Sequence, residues 1–126
     1  MNQVIFAPEL YIHDVKAAID FYIKAFDAIE VFHFDNEDGG VHVAEMQIGG
    51  ATFHLHEPTA NGISPLTVQG IMIQIGVFAD DPDAFFNKAI AAGAELIMPI
   101  QDFDYGYRQG IVKDPFGHSW QFQKRI

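Results

Sequence analysis

Apolar and polar positions at the start of the chain predict a strand followed by an amphipathic helix. Apolar side chains alternate with polar ones over Val4–Ile12, where Pro8 indicates a strand start, an edge or a bulge. Asp14 follows as a candidate N-cap, and Asp27 stands where a left-handed C-cap belongs. Between the caps, apolar residues recur with helical spacing and predict a buried stripe formed by Ile19, Tyr22, Ile23 and Phe26.

Three strand candidates follow this helix. Ile29–Phe34 predicts the first, and a polar turn over residues 35–40 separates it from the next. Val41–Ile48 and Ala51–Glu57 flank the pair Gly49-Gly50, an arrangement typical of a β-hairpin. The first half is therefore predicted to run strand, helix, strand, strand, strand.

A second run of the same elements begins after residues 58–69, which carry prolines and a glycine but no charge and indicate a linker or mobile loop. Residues 70–79 predict an apolar strand. Asp81 is the expected N-cap of the next helix, with Pro82 at its first position and Gly93 at its end. The buried stripe of this helix is predicted to consist of Phe86, Ala89 and Ile90.

The end of the chain predicts three strands and one tight turn. A short strand over Glu95–Met98 is followed by a loop over residues 99–105 and a strand over Tyr107–Lys113. The run Asp114–Gly117 is typical of a tight turn capped by the carboxylate of its first residue. It leads into a last strand over Ser119–Lys124, whose alternation directs Trp120 toward the helix layer.

Together these elements predict an α+β fold of two βαβββ modules in a single domain over residues 1–126. The first module covers residues 1–57, the linker 58–69 and the second module 70–126. A duplication of this kind indicates that neither half closes its own sheet. Placed side by side, the halves are expected to form a curved mixed sheet with helices on the convex side and a cleft on the concave side.

The composition limits the classes of binding partner that this chain is expected to have. The 126 residues include 7 Lys and Arg against 17 Asp and Glu, which gives a formal charge of −10. Such an acidic chain repels nucleic acid and anionic membrane surfaces and suits a cationic small molecule, although solubility alone also explains it. The absence of cysteine excludes disulfides and thiol nucleophiles. With no basic leader in Met1–Val4 and no apolar run of about 18 residues, a cytoplasmic protein is expected.

Several stretches carry a resemblance to a known superfamily. They are Tyr11–Tyr22 with Lys24–Phe26, Ala44–Gly50, and Arg108–Trp120. In this order they resemble the vicinal oxygen chelate superfamily, which includes glyoxalase I, ring-cleaving dioxygenases, and fosfomycin and bleomycin resistance proteins. The resemblance is strongest to the small bacterial glyoxalase-like branch. It implies the glyoxalase/bleomycin resistance/dihydroxybiphenyl dioxygenase fold and a homodimer.

The resemblance also implies a site for a divalent metal, held by four side chains facing the cleft. Those positions fall on Ala7, His54, Gln74 and Gln121 in this chain. Divalent ions such as Ni²⁺, Fe²⁺, Mn²⁺ or Zn²⁺ favour charged oxygen ligands and imidazole, whereas this set offers one imidazole, two neutral amides and no fourth ligand. Either no cofactor is bound, or such a metal is bound with help from Glu9 or His56, which share strand faces with Ala7 and His54.

Other side chains are candidates for ligand binding. Arg108 is an anion anchor or the partner of a nearby carboxylate such as Asp102 or Asp104. Tyr105 belongs to an aromatic loop that suits stacking on a planar ligand or packing on the sheet. Glu45 is a general base only if it faces the cleft. The full set of expected ligand-binding residues is Glu9, Tyr11, His54, His56, Gln74, Tyr105, Arg108 and Gln121.

Two functions of different class fit these residues. The first is a protein that binds a small molecule in the sheet cleft without an essential metal, as the bleomycin resistance relatives do. The second is a metal-dependent lyase, isomerase or dioxygenase acting on a substrate with vicinal oxygens. Whether the chain is an enzyme stays open at this point, as does its ligand.

Overall fold

The structure is a computed structural model that describes residues 6–58, 62–70 and 73–126. Its first half forms a mixed four-stranded sheet in the order β1-β4-β3-β2, in which β1 runs parallel to β4. One helix, α1, connects the first two strands. The elements are β1 (Glu9–Tyr11), α1 (Val15–Phe26), β2 (Ile29–Asp35), β3 (Val41–Ile48) and β4 (Ala51–His56).

The second half has the same strand order, β5-β8-β7-β6, again with its first strand parallel to its last. The predicted α+β class is confirmed, as two mixed sheets with helices on them. No helix within the described ranges is long and apolar enough to cross a membrane. The elements are α2 (Pro65–Val68), β5 (Gln74–Phe78), α3 (Pro82–Ala92), β6 (Glu95–Phe103), β7 (Tyr107–Lys113) and β8 (Ser119–Arg125).

Both long helices begin and end as their local sequence predicts. Asp14 accepts a hydrogen bond from Ala17 N at 3.1 Å, and Asp81 accepts one from Ala84 N at 3.1 Å. These carboxylates satisfy amides that the first helical turn leaves without a partner. Asp27 ends α1 with a φ of 54°, which a short polar side chain tolerates.

Two predictions need correction here, the burial of Ile23 and the end of the strand β6. Ile23 is 42% exposed, so the buried face of α1 lies on the other side of Tyr22. β6 continues through residues 99–103, which were predicted as loop. Pro99 is tolerated because β6 is an edge strand whose pairing shifts register between Met98 and Gln101.

The linker is not wholly irregular, since residues 65–68 form the short helix α2. Pro65 stands at its first position, where the missing amide proton costs nothing. β5 begins later than predicted, at Gln74. The start of the predicted first strand at Val4 and the predicted segments over 59–61 and 71–72 lie outside the described residues.

An aromatic core joins α1 to both sheets. The Tyr22 ring lies 5.5 Å from that of Phe53 on β4, and the Phe26 ring lies 4.6 Å from that of Trp120 on β8. Phe122 on β8 also packs on Phe26, with ring centroids 5.6 Å apart. Because one helix contacts both sheets, both sheets direct their apolar faces toward the same helical layer. Trp120 is 1% exposed, which confirms its predicted place in the core.

A buried carboxylate fastens this core to the last turn. Asp114 is 3% exposed, and its Oδ1 accepts from the amides of Phe116 and His118 at 2.9 Å each. Its Oδ2 accepts from Tyr22 Oη at 2.5 Å and from Trp120 Nε1 at 2.9 Å. Burial, and then the neighbouring Asp114 charge, raise the pKa of Tyr22 well above its usual value. The predicted turn cap is present and also ties the two halves together.

Candidate functional site

The strand pattern defines a sheet surface that faces away from the helices. Phe53 and Trp120 pack on α1, so their neighbours in sequence project to the opposite side of β4 and β8. We call this side of both sheets the open face. Strand registers place the following polar residues on it: Glu9, Tyr11, Glu45, His54, His56, Gln74, Gln109, Gln121 and Gln123.

On the first sheet, His54 lies between two carboxylates. Its Cα pairs with that of Glu9 on β1 and with that of Glu45 on β3. His54 Nε2 donates to Glu45 Oε1 at 3.1 Å, and both side chains are partly exposed. A carboxylate that holds one imidazole nitrogen orients the ring and leaves Nδ1 outside this hydrogen bond. Glu45 therefore does face this surface.

One step along the strands, His56 occupies a different environment. Its Nδ1 donates to the Glu57 carbonyl at 2.5 Å. Its ring lies 5.8 Å from that of Tyr11 and 4.8 Å from that of His42. A hydrogen bond from His42 is the main cause that lowers the pKa of Glu57. His56 is thus held by backbone and aromatic contacts rather than by His54.

On the second sheet, glutamine side chains form a continuous hydrogen-bonded ladder. Gln74 Nε2 donates to Gln121 Oε1 at 3.0 Å, and Gln121 Nε2 donates to Gln123 Oε1 at 2.7 Å. Gln109 Nε2 donates to the same Gln123 oxygen at 2.8 Å. Ser119 Oγ extends the ladder by donating to Gln74 Oε1 at 3.0 Å. We call this set of five residues the glutamine ladder; every link in it is uncharged.

Gln109 and Gln123 were not singled out in the sequence, although they are buried members of the ladder. The signal was present, because polar residues alternate along Ser119–Lys124 and its neighbouring strand carries Gln109. Gly76 makes room for them, since a Cβ there would lie 2.8 Å from Gln123 Nε2. The lack of a side chain at Gly76 therefore allows the ladder to pack against β5.

The other candidate side chains are already engaged in protein contacts. Arg108 Nε and Nη2 donate to the two oxygens of Asp83 at 2.8 and 2.7 Å, and its Nη1 donates to Asp102 at 2.9 Å. The guanidinium lowers the pKa of Asp83, and the two carboxylates raise that of Arg108. Of its predicted alternatives, pairing with Asp102 is therefore observed. Tyr105 stacks on Phe103 with centroids 5.2 Å apart and donates to Gln109.

The side chains at the four positions that the resemblance assigns to metal ligands are unsuited to coordinating a metal. The side chains of Gln74 and Gln121 hydrogen-bond each other, and His54 hydrogen-bonds Glu45. The side chain of Ala7 has no atom that can coordinate a metal. Hard divalent ions favour anionic oxygen ligands, and this set supplies none. Across residues 6–58, 62–70 and 73–126, no group of three or more His, Cys, Asp or Glu side chains is placed to hold a metal ion.

The profile of one protein family matches this chain over residues 3–122, nearly its whole length. The chain belongs to the Glyoxalase/Bleomycin resistance protein/Dioxygenase superfamily. The predicted recognition is thereby confirmed. Within this superfamily, the uncharacterized protein Mb0911c of Mycobacterium bovis is 36% identical over 125 residues, covering 95% of this chain and 82% of its own length.

Solved structures of similar fold support the superfamily assignment. The Arabidopsis thaliana product At5g48480 has a TM-score of 0.76 and 27% identity, covering 97% of this chain and 99% of its own. A bleomycin-binding protein in complex with bleomycin has a TM-score of 0.73 and covers 98% of this chain and 100% of its own. At 15% identity, the second similarity concerns the fold alone.

Proposed function

We propose that this superfamily member binds a small molecule on the open face without an essential metal. The observation that carries the proposal is the hydrogen bond between Gln74 and Gln121. These two positions correspond to metal ligands in the resemblance, yet here they are neutral amides that satisfy each other. An uncharged ladder suits a ligand with hydrogen-bonding edges better than it suits an ion.

Charge on the first sheet favours a cationic or neutral ligand. Glu9 and Glu45 flank His54 there, and the chain carries a formal charge of −10. Arg108, the side chain that would bind an anion, is neutralised by Asp83 and Asp102. A planar ligand would also find aromatic surface at Tyr105, which is 62% exposed and stacked on Phe103.

The alternative is a divalent-metal-dependent lyase, isomerase or dioxygenase. Its structural support is His54, whose Nδ1 stays available while Glu45 holds Nε2 and Glu9 lies opposite in register. If a metal bound at that nitrogen, Glu45 would hold the other nitrogen of the liganding imidazole, as carboxylates commonly do for metal-bound histidines. Ni²⁺, Fe²⁺, Mn²⁺ and Zn²⁺ are the ions to test.

Metal content separates the two candidates. Tag-free protein is soaked in each ion, desalted and analysed by elemental mass spectrometry, with His54→Ala as the matched variant. We expect metal at background in both proteins. About one ion per chain in the wild type, lost in His54→Ala, would instead establish the metal-dependent alternative.

Ligand preference tests the binding proposal directly. A thermal-shift panel of planar cations, planar neutral compounds, planar anions and bleomycin is compared on the wild type, Gln121→Leu and Gln101→Leu. Gln101 is exposed on β6, where it pairs in register with Gln109 but makes no hydrogen bond to the glutamine ladder, so its variant controls for the loss of an amide on the same face. Cationic or neutral compounds should raise the melting temperature of the wild type and of Gln101→Leu more than that of Gln121→Leu. A preference for anions, or equal shifts in all three proteins, would contradict the proposal.

We also propose that the protein acts as a cytoplasmic homodimer of two-module chains, with module boundaries at residues 57 and 70. The superfamily resemblance supports the pairing, and the exposed apolar side chains of β2 offer surface for it. Sedimentation velocity on the full chain measures the oligomeric state directly. A monomer at micromolar concentration would overturn the proposed homodimer. The exposed side chains are Ile29, Val31, Phe32 and Phe34.

A further inference from the structure

The glutamine ladder converges on an amide whose nitrogen has no partner. Gln123 Oε1 accepts from Gln121 Nε2 at 2.7 Å and from Gln109 Nε2 at 2.8 Å, which occupies both of its lone pairs. Gln123 Nε2 makes no hydrogen bond to any residue that the structure describes. The residue is only 6% exposed, so water reaches its two N–H groups at few points.

This nitrogen can nevertheless be reached from outside the protein. Within residues 6–58, 62–70 and 73–126, no side-chain nitrogen is both sealed from solvent and unpaired, so Gln123 Nε2 retains an accessible surface. It lies over the backbone of β5 on the open face, where a Cβ on Gly76 would be 2.8 Å from it. A donor held mostly out of water gains from a ligand that supplies the missing acceptor.

Neighbouring amides add further donors at the same place. Gln109 Nε2 and Gln121 Nε2 each donate one proton to the Gln123 oxygen, and an amide nitrogen carries two. The oxygen at the centre of this cluster accepts no more hydrogen bonds, whereas the nitrogens around it have protons to give. A ligand atom that meets this cluster is therefore favoured if it is an acceptor.

A row of aromatic rings, which we call the aromatic strip, borders this cluster. Its members are Phe78, Tyr107, Tyr105 and Phe103, with successive ring centroids 6.3, 6.0 and 5.2 Å apart. Phe78 pairs in register with Gln123 and is 63% exposed. Exposed rings beside a polar anchor are suited to packing against a planar ligand.

The rings and the amides share one side of the sheet. Val77 packs against the core and Arg108 bonds a carboxylate on α3, so strand alternation turns Phe78 and Tyr107 toward the open face. Arg125 is a charged neighbour of these rings, and its Nε donates to Tyr107 Oη at 3.2 Å. The guanidinium disfavours a cation here, and the formal charge of −10 disfavours an anion. A neutral ligand fits both.

We propose that Gln123 Nε2 anchors a neutral planar aromatic ligand by donating to a carbonyl oxygen on its ring, while the ring packs on the aromatic strip. This inference rests on the function proposed above, because it concerns the same open face, and it names the class of ligand and the anchoring atom. Gln123 thereby selects a ring with an acceptor over a ring of similar size that has only a donor.

Chromone and indole are matched probes of this selection. Both are neutral planar bicyclic molecules, but chromone carries a ring carbonyl and indole carries only an N–H donor. Full-length protein with ¹⁵N-labelled glutamine is titrated with each compound by NMR to millimolar concentration. Chromone should bind about 5-fold more tightly, the effect of one neutral hydrogen bond, and should shift the Gln123 side-chain amide signals saturably. The Gln69 amide at the end of α2 is the internal reference and should not shift.

Two variants alter the anchoring nitrogen in different ways. Gln123→Glu keeps an oxygen for Gln109 and Gln121 but puts a second oxygen in place of the nitrogen, so chromone should bind about 10-fold more weakly while indole loses no affinity. Gly76→Ala adds a methyl group where the nitrogen lies and moves the amide without changing the charge. Chromone should bind this variant about 5-fold more weakly, since one neutral hydrogen bond is lost.

Each variant has a matched control. Gln101→Glu adds the same charge at an exposed position on β6, and Gly50→Ala adds a methyl group where nothing lies within 4 Å. Both controls should keep the wild-type affinity for chromone. The comparison of chromone with indole on the wild type needs no variant, so it remains decisive if Gln123→Glu does not fold.

Four outcomes would overturn the proposal. They are the absence of saturable chromone binding, equal affinity for chromone and indole, unchanged Gln123 amide signals at saturation, and wild-type chromone affinity in Gly76→Ala. If Gln121→Leu weakens the binding of other planar compounds in the thermal-shift panel while one of these outcomes holds, the open face still binds ligands and only the Gln123 anchor is wrong. If no compound of that panel binds, the proposed function itself fails.

Discussion

Tyr22 on α1 donates a hydrogen bond of 2.5 Å to the carboxylate of Asp114, which lies 92 residues later in the last turn. Both groups are buried, and Asp114 has three further donors around it. A carboxylate out of water needs such donors because no cation lies among them. This pair therefore links the first helix to the second sheet.

Removing the tyrosine hydroxyl tests this link. Tyr22→Phe should lower the free energy of unfolding by about 2 kcal/mol, since hydrogen bonds to a charged acceptor contribute about 1.5–3 kcal/mol. Urea denaturation measures the loss, provided that the dependence of the unfolding free energy on urea concentration has the same slope in the variant and the wild type. Tyr107→Phe is the matched control, because its hydroxyl is exposed and accepts only a 3.2 Å bond from Arg125. Equal losses in the two variants would mean that the buried bond adds nothing.

The same pair predicts how stability changes at alkaline pH. Burial and Asp114 raise the pKa of Tyr22 in the folded protein above its unfolded value near 10. The unfolded chain then releases this proton first as pH rises, so stability is present below pH 10 and falls above it. The fall should approach about 1.4 kcal/mol per pH unit. Tyr22→Phe should have a shallower slope; identical slopes would contradict the assignment.

Local chemistry explains why much of the fold was predictable. Asp14 and Asp81 accept from amides three residues ahead, so each helix start is determined by a few neighbouring residues. The alternation along β8 likewise placed Trp120 in the core. The sequence predicts only Glu95–Met98 of β6, whereas the strand continues past Pro99 because a register shift at the sheet edge accommodates the proline.

The site was harder to predict because its decisive contacts are long-range. Gln74 and Gln121 are 47 residues apart in sequence, and only the parallel pairing of β5 with β8 brings them together. Arg108 pairs with Asp83 on α3 as well as with the nearby Asp102. Periodicity gives the face on which a side chain lies, but it does not give its partner on another element.

The ion pair between Arg108 and Asp83 predicts a measurable titration. Hydrogen bonds from the guanidinium lower the pKa of Asp83 below its ordinary value of 3.8. This pair therefore adds stability above that value, which is lost as pH falls through the folded pKa. Carbonyl ¹³C NMR of Asp83 should show the low midpoint in the wild type and an ordinary one in Arg108→Gln. Because both side chains are partly exposed, added salt should weaken the difference. An unchanged Asp83 midpoint in Arg108→Gln would contradict this assignment of the ion pair.

The glutamine ladder predicts that a negative charge inside it destabilises the protein. In Gln121→Glu the new carboxylate still accepts from Gln74 but has no proton to donate to Gln123 Oε1. Two acceptors then face each other, and we expect a loss of about 1–2 kcal/mol at neutral pH. Acidification should restore stability, because the protonated side chain donates again. Gln101→Glu, exposed on β6, should show neither effect in urea denaturation measured at both pH values.

The last turn packs closely against α2 because Gly117 has no side chain. This residue has a φ of +94°, and a Cβ there would lie 2.8 Å from Pro65 Cβ at the start of α2. Gly117→Ala therefore combines backbone strain with a clash against a ring that cannot rotate away. We expect a loss of about 2–4 kcal/mol, the sum of strain and overpacking.

Gly49 separates these two causes, because its φ is +56° and nothing lies within 4 Å of a Cβ placed on it. Gly49→Ala should lose only the strain, about 1 kcal/mol. Urea denaturation gives both values, and the Ile63 methyl signal reports whether α2 has moved. A larger loss in Gly117→Ala together with a shifted Ile63 signal shows that α2 rests on the turn. Equal losses with an unchanged signal would mean that α2 adapts without cost, and that the contact between Gly117 and Pro65 does not position the helix.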